Sequence, residues 1–314
     1  MTRIVISEFM DLPAVESLRG TFDVDYSPEL VDDRAGLLAR VATADALIVR
    51  NRTRVDRELL AAAPRLRAVG RLGVGLDNID VAGCEAAKVA VFPATGANSL
   101  PVAEYVLATA MVLLRGAYLS SAEVAAGQWP RPRMSQGRET AGKTLGLVGF
   151  GGIGQLTAKL AQGLGMRVLA SDPLLSADSA IWADTGAGRR ELDALLGEVD
   201  VLSLHVPLTS ATRGLIDAAR LARMKPDAVL INTARGGVVD EAALAAALRV
   251  GRLGGAALDV FDDEPLAAGS PLAGVPNLIL TPHIGGVTRE SNERVSSLIA
   301  RRVGEFLRSS APDS

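Results

Sequence analysis

Of 314 residues only two are histidine, His205 and His283, and each follows a short apolar run that ends at a turn. An imidazole so placed can move a proton near neutral pH, yet a histidine taken alone is more often structural than catalytic. Both sit where ligands gather in open α/β sheets, beyond the carboxyl ends of strands, so position admits either. Their surroundings must decide. Arg235 lies in Thr233-Ala234-Arg235-Gly236-Gly237, where glycines leave the backbone free to aim a guanidinium. A guanidinium grips a carboxylate through two parallel hydrogen bonds. Glu264 lies in Asp262-Asp263-Glu264-Pro265, which reads equally as a solvated acidic turn or as a working carboxylate. If Glu264 reaches His283, its charge favours the imidazolium and suits the ring to donate a proton. Arg235, Glu264 and His283 then make one site, for a substrate with a carboxylate and an oxygen to be protonated.

The sharpest local motif is Gly149-Phe150-Gly151-Gly152-Ile153-Gly154, between an apolar run and the helical pattern Gln155 to Leu164. In such a motif the first glycine permits a tight turn, the second lets the backbone approach a pyrophosphate, and the third lets helix and strand pack closely. The helix N-terminus adds unpaired N–H groups. Asp172 closes the next apolar run, and no arginine follows it. A carboxylate there accepts hydrogen bonds from a ribose diol and repels a 2′-phosphate, so the expected cofactor is NAD rather than NADP. A glycine-rich turn with a surface aspartate would match the letters alone, but strand, glycines, helix and acid agree on a dinucleotide.

These residues need rigid elements behind them. Short runs rich in β-branched residues, Arg3 to Ser7, Ala46 to Val49, Leu66 to Leu72 and Val89 to Phe92, alternate with helical patterns of Ala, Leu, Glu and Arg. The alternation resumes at Thr144 to Gly149, Met166 to Ser171, Val201 to His205, Ala228 to Asn232, Gly255 to Val260 and Leu278 to Thr281. Strand and helix in this order predict an α/β fold of two doubly wound parallel sheets. Between the two series, Ser99 to Gly116 reads as a helix with almost no polar face, expected to be buried between domains or subunits. Gly127 to Arg133, with Trp129, Pro130 and Pro132, reads as an arm or long loop. The last dozen residues are expected to fray.

Composition bounds the rest. With 33 basic and 36 acidic side chains the formal charge is −3, and no block of Lys or Arg offers a footprint for nucleic acid or an anionic membrane. The single cysteine, Cys84, excludes an intrachain disulfide and a multi-cysteine zinc site, and two separated histidines make any metal site unexpected. The first eleven residues lack the basic and apolar regions of a signal peptide, and the apolar stretch Tyr105 to Leu114 is too short to span a bilayer. The expected location is the cytoplasm.

Five segments together resemble the D-isomer-specific 2-hydroxyacid dehydrogenases: Gly70 to Asp80, Gly149 to Gly154, Asn232 to Asp240, Ala256 to Pro265 and Thr281 to Gly285. The resemblance covers nearly the whole chain. It implies a Rossmann NAD-binding domain, residues 99–286, inserted in a flavodoxin-like substrate domain formed by residues 1–98 and 287–314, with hinge closure excluding water. It implies that Arg235 binds substrate carboxylate and carbonyl, that His283 is the acid/base, and that Glu264 orients and tunes it. Asp259 would hold the nicotinamide carboxamide, with His205, Pro207, Thr233 and Ala234 completing the cofactor site. A homodimer is the implied assembly. One departure stands after Gly285, where the family often has a small polar residue and this chain has Gly286-Val287.

Within the family the chain is most similar to phosphoglycerate and (S)-sulfolactate dehydrogenases. Arg50, Arg71 and Asn98 match positions that read an anionic tail, and the N–H groups of Gly73 and Val74 are placed for the carboxylate end. The opening Ile4 to Asp11 is closer to the sulfolactate group. Sulfonate and phosphate both suit an arginine pocket, and side-chain identity leaves the two open. A general hydroxypyruvate or glyoxylate reductase and a non-catalytic NAD(H)-sensing protein of the corepressor type are the alternatives.

Overall fold

A computed structural model describes residues 1–309. The chain divides into two compact units, Met1–Asn98 with the chain from Val287 onward, and Ser99–Gly286.

In the first unit, β1 (Arg3–Ile6), β2 (Asp23–Tyr26), β3 (Ala46–Val49), β4 (Ala68–Arg71) and β5 (Ala90–Pro93) form a parallel sheet in the order β2-β1-β3-β4-β5. Alternate residues of one strand face opposite sides, and both sides are covered. Ile4, Ile6 and Ile48 pack with Val295, Ile299 and Val303 of the helix Arg289–Ser309, while Val5, Leu47 and Val49 pack with Leu37 and Leu59. That double burial is why these strands are apolar without interruption. Each such aliphatic side chain contributes about 1.5–3 kcal/mol on leaving water. The helix Arg289–Ser309 packs directly on Gly70, since a Cβ there would lie 2.6 Å from Ile299 Cγ2.

In the second unit, β6 (Thr144–Val148), β7 (Arg167–Ser171), β8 (Gly188–Arg189), β9 (Val201–Leu204), β10 (Val229–Asn232), β11 (Gly255–Leu258) and β12 (Leu278–Leu280) form a second parallel sheet. The order is β12-β11-β10-β9-β6-β7-β8. It reverses direction between β6 and β9, so the crevice beyond their carboxyl ends is a natural ligand site. Among the described residues five helices start on an aspartate, Asp33, Asp56, Asp80, Asp217 and Asp240, whose carboxylate accepts an N–H three residues on. Such caps are each worth about 1 kcal/mol and assign these acids to folding.

Several expectations change. The helix Ser99–Arg115, expected between domains or subunits, buries Val106, Ala110, Leu113 and Leu114 against the helix Gly152–Gly163 and the sheet of its own unit. Arg131–Met134 is one helical turn, tolerated because Pro132 stands in its first turn, where the missing N–H has no helical partner. The strands β2 and β8 are additional. Of the last dozen residues, those up to Ser309 continue the terminal helix, and 310–314 lie outside the described residues. Among the described residues no single helix is long and apolar enough to cross a membrane.

Candidate active site

In the Ser99–Gly286 unit the turn after β6 is shaped by its glycines. Gly149 has φ +91°, and a Cβ there would lie 2.6 Å from the His205 carbonyl oxygen. A Cβ at Gly154 would lie 2.6 Å from the Gly149 carbonyl oxygen, so helix and strand touch through backbone. At Gly151 and Gly152 it would meet nothing within 4 Å. The open side of the turn faces the N-terminus of Gly152–Gly163, which has no side-chain cap, so backbone donors are left for an anion. Ile153 belongs to the first turn of that helix. Asp172 lies against the same turn: Oδ2 accepts the Phe150 N–H (2.8 Å) and Oδ1 the Leu174 N–H (2.9 Å). Each oxygen keeps a lone pair for a diol.

The turn after β9 carries His205 and Pro207. The His205 N–H donates to the Val148 carbonyl (2.7 Å), and Nε2 lies 3.0 Å from Ser203 Oγ. The Pro207 carbonyl accepts from Thr212 Oγ1 at 2.6 Å. Burial pushes the His205 imidazole down to about 4, so it is neutral at physiological pH and has no charge to offer as a proton donor.

Arg235 stands in the turn after β10, built by a residue that sequence reasoning passed over. Buried Asn232 donates from Nδ2 to the Arg235 carbonyl (2.9 Å) and accepts the Ala234 N–H at Oδ1 (3.0 Å), bracketing the turn. An asparagine closing an apolar strand was the available signal. Arg235 Nη1 donates to the Ala234 carbonyl at 2.6 Å. A Cβ on Gly236 would fall 1.7 Å from the Phe261 carbonyl oxygen, so this turn packs on the one after β11. The Thr233 hydroxyl is buried without a hydrogen-bond partner among the described residues, as a group that meets a bound molecule would be.

Glu264 and His283 touch: Nδ1 of the ring lies 2.7 Å from Oε2. Glu264 Oε1 accepts the Phe261 N–H at 3.1 Å. Burial works to raise the Glu264 carboxyl, but the hydrogen bond and charge of His283, the Phe261 N–H and the charge of Arg235 outweigh it and hold the carboxyl below its usual range. An ionised carboxylate only accepts, so Nδ1 carries the proton and Nε2 is the ring atom left for chemistry. His283 has φ +54°, a left-handed conformation that a non-glycine residue adopts at a cost of about 1–3 kcal/mol. Asp259, 2% exposed, holds it there: Oδ1 accepts from Thr281 Oγ1 (2.6 Å) and the Ile284 N–H (2.8 Å), and Oδ2 from the Gly285 N–H (2.7 Å).

In the first unit, Arg50 and Arg71 stand at the carboxyl ends of neighbouring strands, with Val49 opposite Arg71 in the β3–β4 register. The loop carrying Arg50 is gathered by buried Glu8, whose carboxylate accepts the N–H groups of Arg50 (2.8 Å), Asn51 (3.3 Å), Arg52 (3.2 Å) and Thr53 (2.9 Å). The Arg50 guanidinium donates to Asn292 Oδ1 (2.9 Å) and lies 5.6 Å from the Phe9 ring centroid. Burial pushes Arg50 down against the opposing charge of Glu8. Arg71 Nη1 donates to the Leu72 carbonyl (3.0 Å) and covers Gly73, where a Cβ would sit 1.6 Å from it. The Gly73 N–H donates to the Arg71 carbonyl (2.8 Å), which leaves the carboxylate duty expected of the pair to the Val74 N–H. Asn98 Oδ1 is buried without a partner among the described residues. Glu8, Phe9 and Asn292 were not among the expected site residues; their part depends on partners far off in sequence.

Residues 107–285 match the family described as D-isomer specific 2-hydroxyacid dehydrogenase, NAD binding domain. Over 98% of its length the chain is 60% identical to the (S)-sulfolactate dehydrogenase of Chromohalobacter salexigens, covering 99% of that protein. It is 44% identical, over 88% of its length, to the D-3-phosphoglycerate dehydrogenase of Mycobacterium leprae, and spans about half of that longer protein, 52%. The solved structure of the TT0316 protein from Thermus thermophilus matches with a TM-score of 0.90 at 35% identity, covering 100% of this chain and 99% of that one.

Proposed function

The chain belongs to the D-isomer-specific 2-hydroxyacid dehydrogenase family, and on that premise we propose that it interconverts a three-carbon 2-hydroxy acid bearing an anionic tail and the corresponding 2-oxo acid, with (S)-sulfolactate and its oxo acid as the pair. The observation that carries the reading is the Nδ1–Oε2 contact of 2.7 Å between His283 and Glu264, with the charge of Arg235 acting on the same carboxylate. NAD, when bound, supplies the hydride acceptor or donor. The Gly149–Gly154 turn and Asp172 hold its pyrophosphate and ribose, Thr233 and Ala234 line it with His205 and Pro207, and Asp259 offers the remaining lone pair of Oδ2 to the carboxamide. Arg235 grips the substrate carboxylate and steadies negative charge on the C2 oxygen. In reduction, His283 gives the proton on Nε2 to that oxygen as C2 accepts the hydride; in oxidation Nε2 takes it back. Glu264 keeps the ring oriented and supports its charge.

Arg50, Arg71 and Asn98 are assigned to the tail, with the Val74 N–H at the carboxylate end. The chain is 60% identical to the relative named for sulfolactate and 44% identical to the phosphoglycerate dehydrogenase, which favours a sulfonate. The chain is read as a cytoplasmic homodimer: Cys84 is buried and free, and Tyr118, Leu119, Val124 and Trp129 form an exposed apolar segment for a second copy. The test is NADH consumption with 3-sulfopyruvate, 3-phosphohydroxypyruvate, hydroxypyruvate, glyoxylate and pyruvate, repeated with NADPH. Selectivity for 3-sulfopyruvate with NADH is expected. Equal use of the untailed acids would overturn the tail assignment, preference for NADPH the role of Asp172, and absence of turnover despite NADH binding the catalytic reading.

A further inference from the structure

Tyr105 lies on the helix Ser99–Arg115, in a part of the chain that no step above uses. Its hydroxyl is 2.6 Å from Thr281 Oγ1, across 176 residues of sequence. Thr281 Oγ1 in turn donates to Asp259 Oδ1 at 2.6 Å. A threonine hydroxyl has one hydrogen, and the Asp259 carboxylate claims it, so Tyr105 must be the donor to Thr281. Burial and the charge of Asp259 push the Tyr105 phenol up against its hydrogen bonds with Thr281 and Thr109, so the proton it donates is kept. The direction of the chain is therefore fixed: Tyr105 O–H to Thr281 Oγ1, Thr281 O–H to Asp259 Oδ1, and the N–H groups of Ile284 and Gly285 onto the same carboxylate.

His283 lies between the two residues by which Asp259 holds this loop, Thr281 before it and Ile284 after it, and its own N–H donates to the Thr281 carbonyl (3.0 Å). The left-handed conformation of His283 has an intrinsic cost and persists only where its surroundings enforce it. Hydrogen bonds in series polarise and align one another, so the orientation of the Thr281 hydroxyl, and with it Asp259, depends on the donor at the head of the chain. We propose that Tyr105 is a positioning residue for the proton transfer, holding the His283 loop in its active conformation through Thr281 and Asp259. This rests on the reading of His283 as the acid/base. Tyr105 touches no reacting atom; it acts on the ring's aim and on its hydrogen bond to Glu264.

The test compares Tyr105→Phe, Thr281→Val, Thr281→Ser and the Tyr105→Phe/Thr281→Val double variant of the full chain at saturating NADH. One hydrogen bond in the chain corresponds to about a three- to tenfold loss of kcat in Tyr105→Phe. Thr281→Val should lose at least as much, the double variant no more than Thr281→Val alone, and Thr281→Ser, which keeps the hydroxyl, should restore turnover. With only two histidines in the chain, the His283 ring can be assigned in 15N-edited spectra using His205→Asn, and its Nδ1 proton signal should move upfield in Tyr105→Phe. Wild-type kcat in Tyr105→Phe, losses that multiply in the double variant, or an unmoved His283 signal would overturn the proposal. If Tyr105→Phe does not fold, the Thr281 pair decides by the same comparison of kcat and signal. His283→Asn is the control: activity surviving there refutes the acid/base reading itself, whereas an inactive His283→Asn beside a fully active Tyr105→Phe refutes only the role of Tyr105.

Discussion

The two histidines are the same side chain put to opposite ends by their neighbours. His205 has a serine hydroxyl and backbone around it and is driven neutral by burial, whereas His283 is paired with a carboxylate that itself stays ionised. The depressed Glu264 carboxyl sets a direction with pH: its pairing is present above the ordinary carboxylate range and is lost as pH falls through the lowered folded value. Glu264→Gln lacks this pairing at every pH, so it should cost about tenfold in kcat/KM near neutrality, with the gap to the wild type narrowing as pH falls through the carboxylate range. Rate profiles of wild type and variant from about pH 4 to about pH 9 measure this, and a gap that does not change with pH would show that the Glu264 charge carries no part of the rate.

At the scale of elements, the glycine turn joins fold and binding in adjacent residues, and substitution can separate them. Gly154→Ala places a methyl against backbone, the Gly149 carbonyl oxygen, which cannot rotate away. Overpacking of this kind costs about 1–3 kcal/mol, so a Tm lower by about 2–8 °C is expected, with weaker NADH binding as a consequence. Gly151→Ala meets open space and has no positive φ to lose, so its Tm should stay within about 1 °C while NADH affinity falls about tenfold, because the methyl takes the ligand's place. Calorimetry and fluorescence titration on the two variants give this contrast, and unimpaired NADH binding by Gly151→Ala would remove the turn from the cofactor site. The sequence made this turn legible because strand, glycines and helix are contiguous. Buried strands such as Ala46–Val49 were equally legible, being apolar on both faces. Asp23–Tyr26 was not: an edge strand reading DVDY has no apolar run to announce it. The helix Ser99–Arg115 was recognised but its partner was not, since an apolar helix does not say which sheet covers it. The same limit applies to side chains. Arg235, Glu264 and His283 stand out by type, whereas Glu8 and Tyr105 act through hydrogen bonds whose partners only the fold selects, 42 residues away for Glu8 and Arg50.

At the scale of the whole molecule, the assembly must follow from its surface. The formal charge of −3 gives no strong field to drive association or hold copies apart, so contact is left to apolar area. After the helix Ser99–Arg115, Tyr118 is 66% and Trp129 74% exposed, with Leu119 and Val124 beside them in sequence. Large side chains clustered on one surface mark an interaction site more often than chance exposure, and a patch that covers its own copy about a two-fold axis closes the assembly at two. Sedimentation velocity of the wild type should therefore give a particle of twice the 32.6 kDa chain mass, and Val124→Glu/Trp129→Ala should give a single chain, because a carboxylate buried against its own copy repels it twice over. A monomeric wild type at about micromolar concentration would remove the dimer. Turnover of the separated chain then says more than its mass. Arg235, Glu264 and His283 are all held by turns of one chain's Ser99–Gly286 unit, through Asn232, Phe261 and Asp259, so kcat should persist in the monomer. A loss of kcat with an intact Tm would mean that a second copy completes the site.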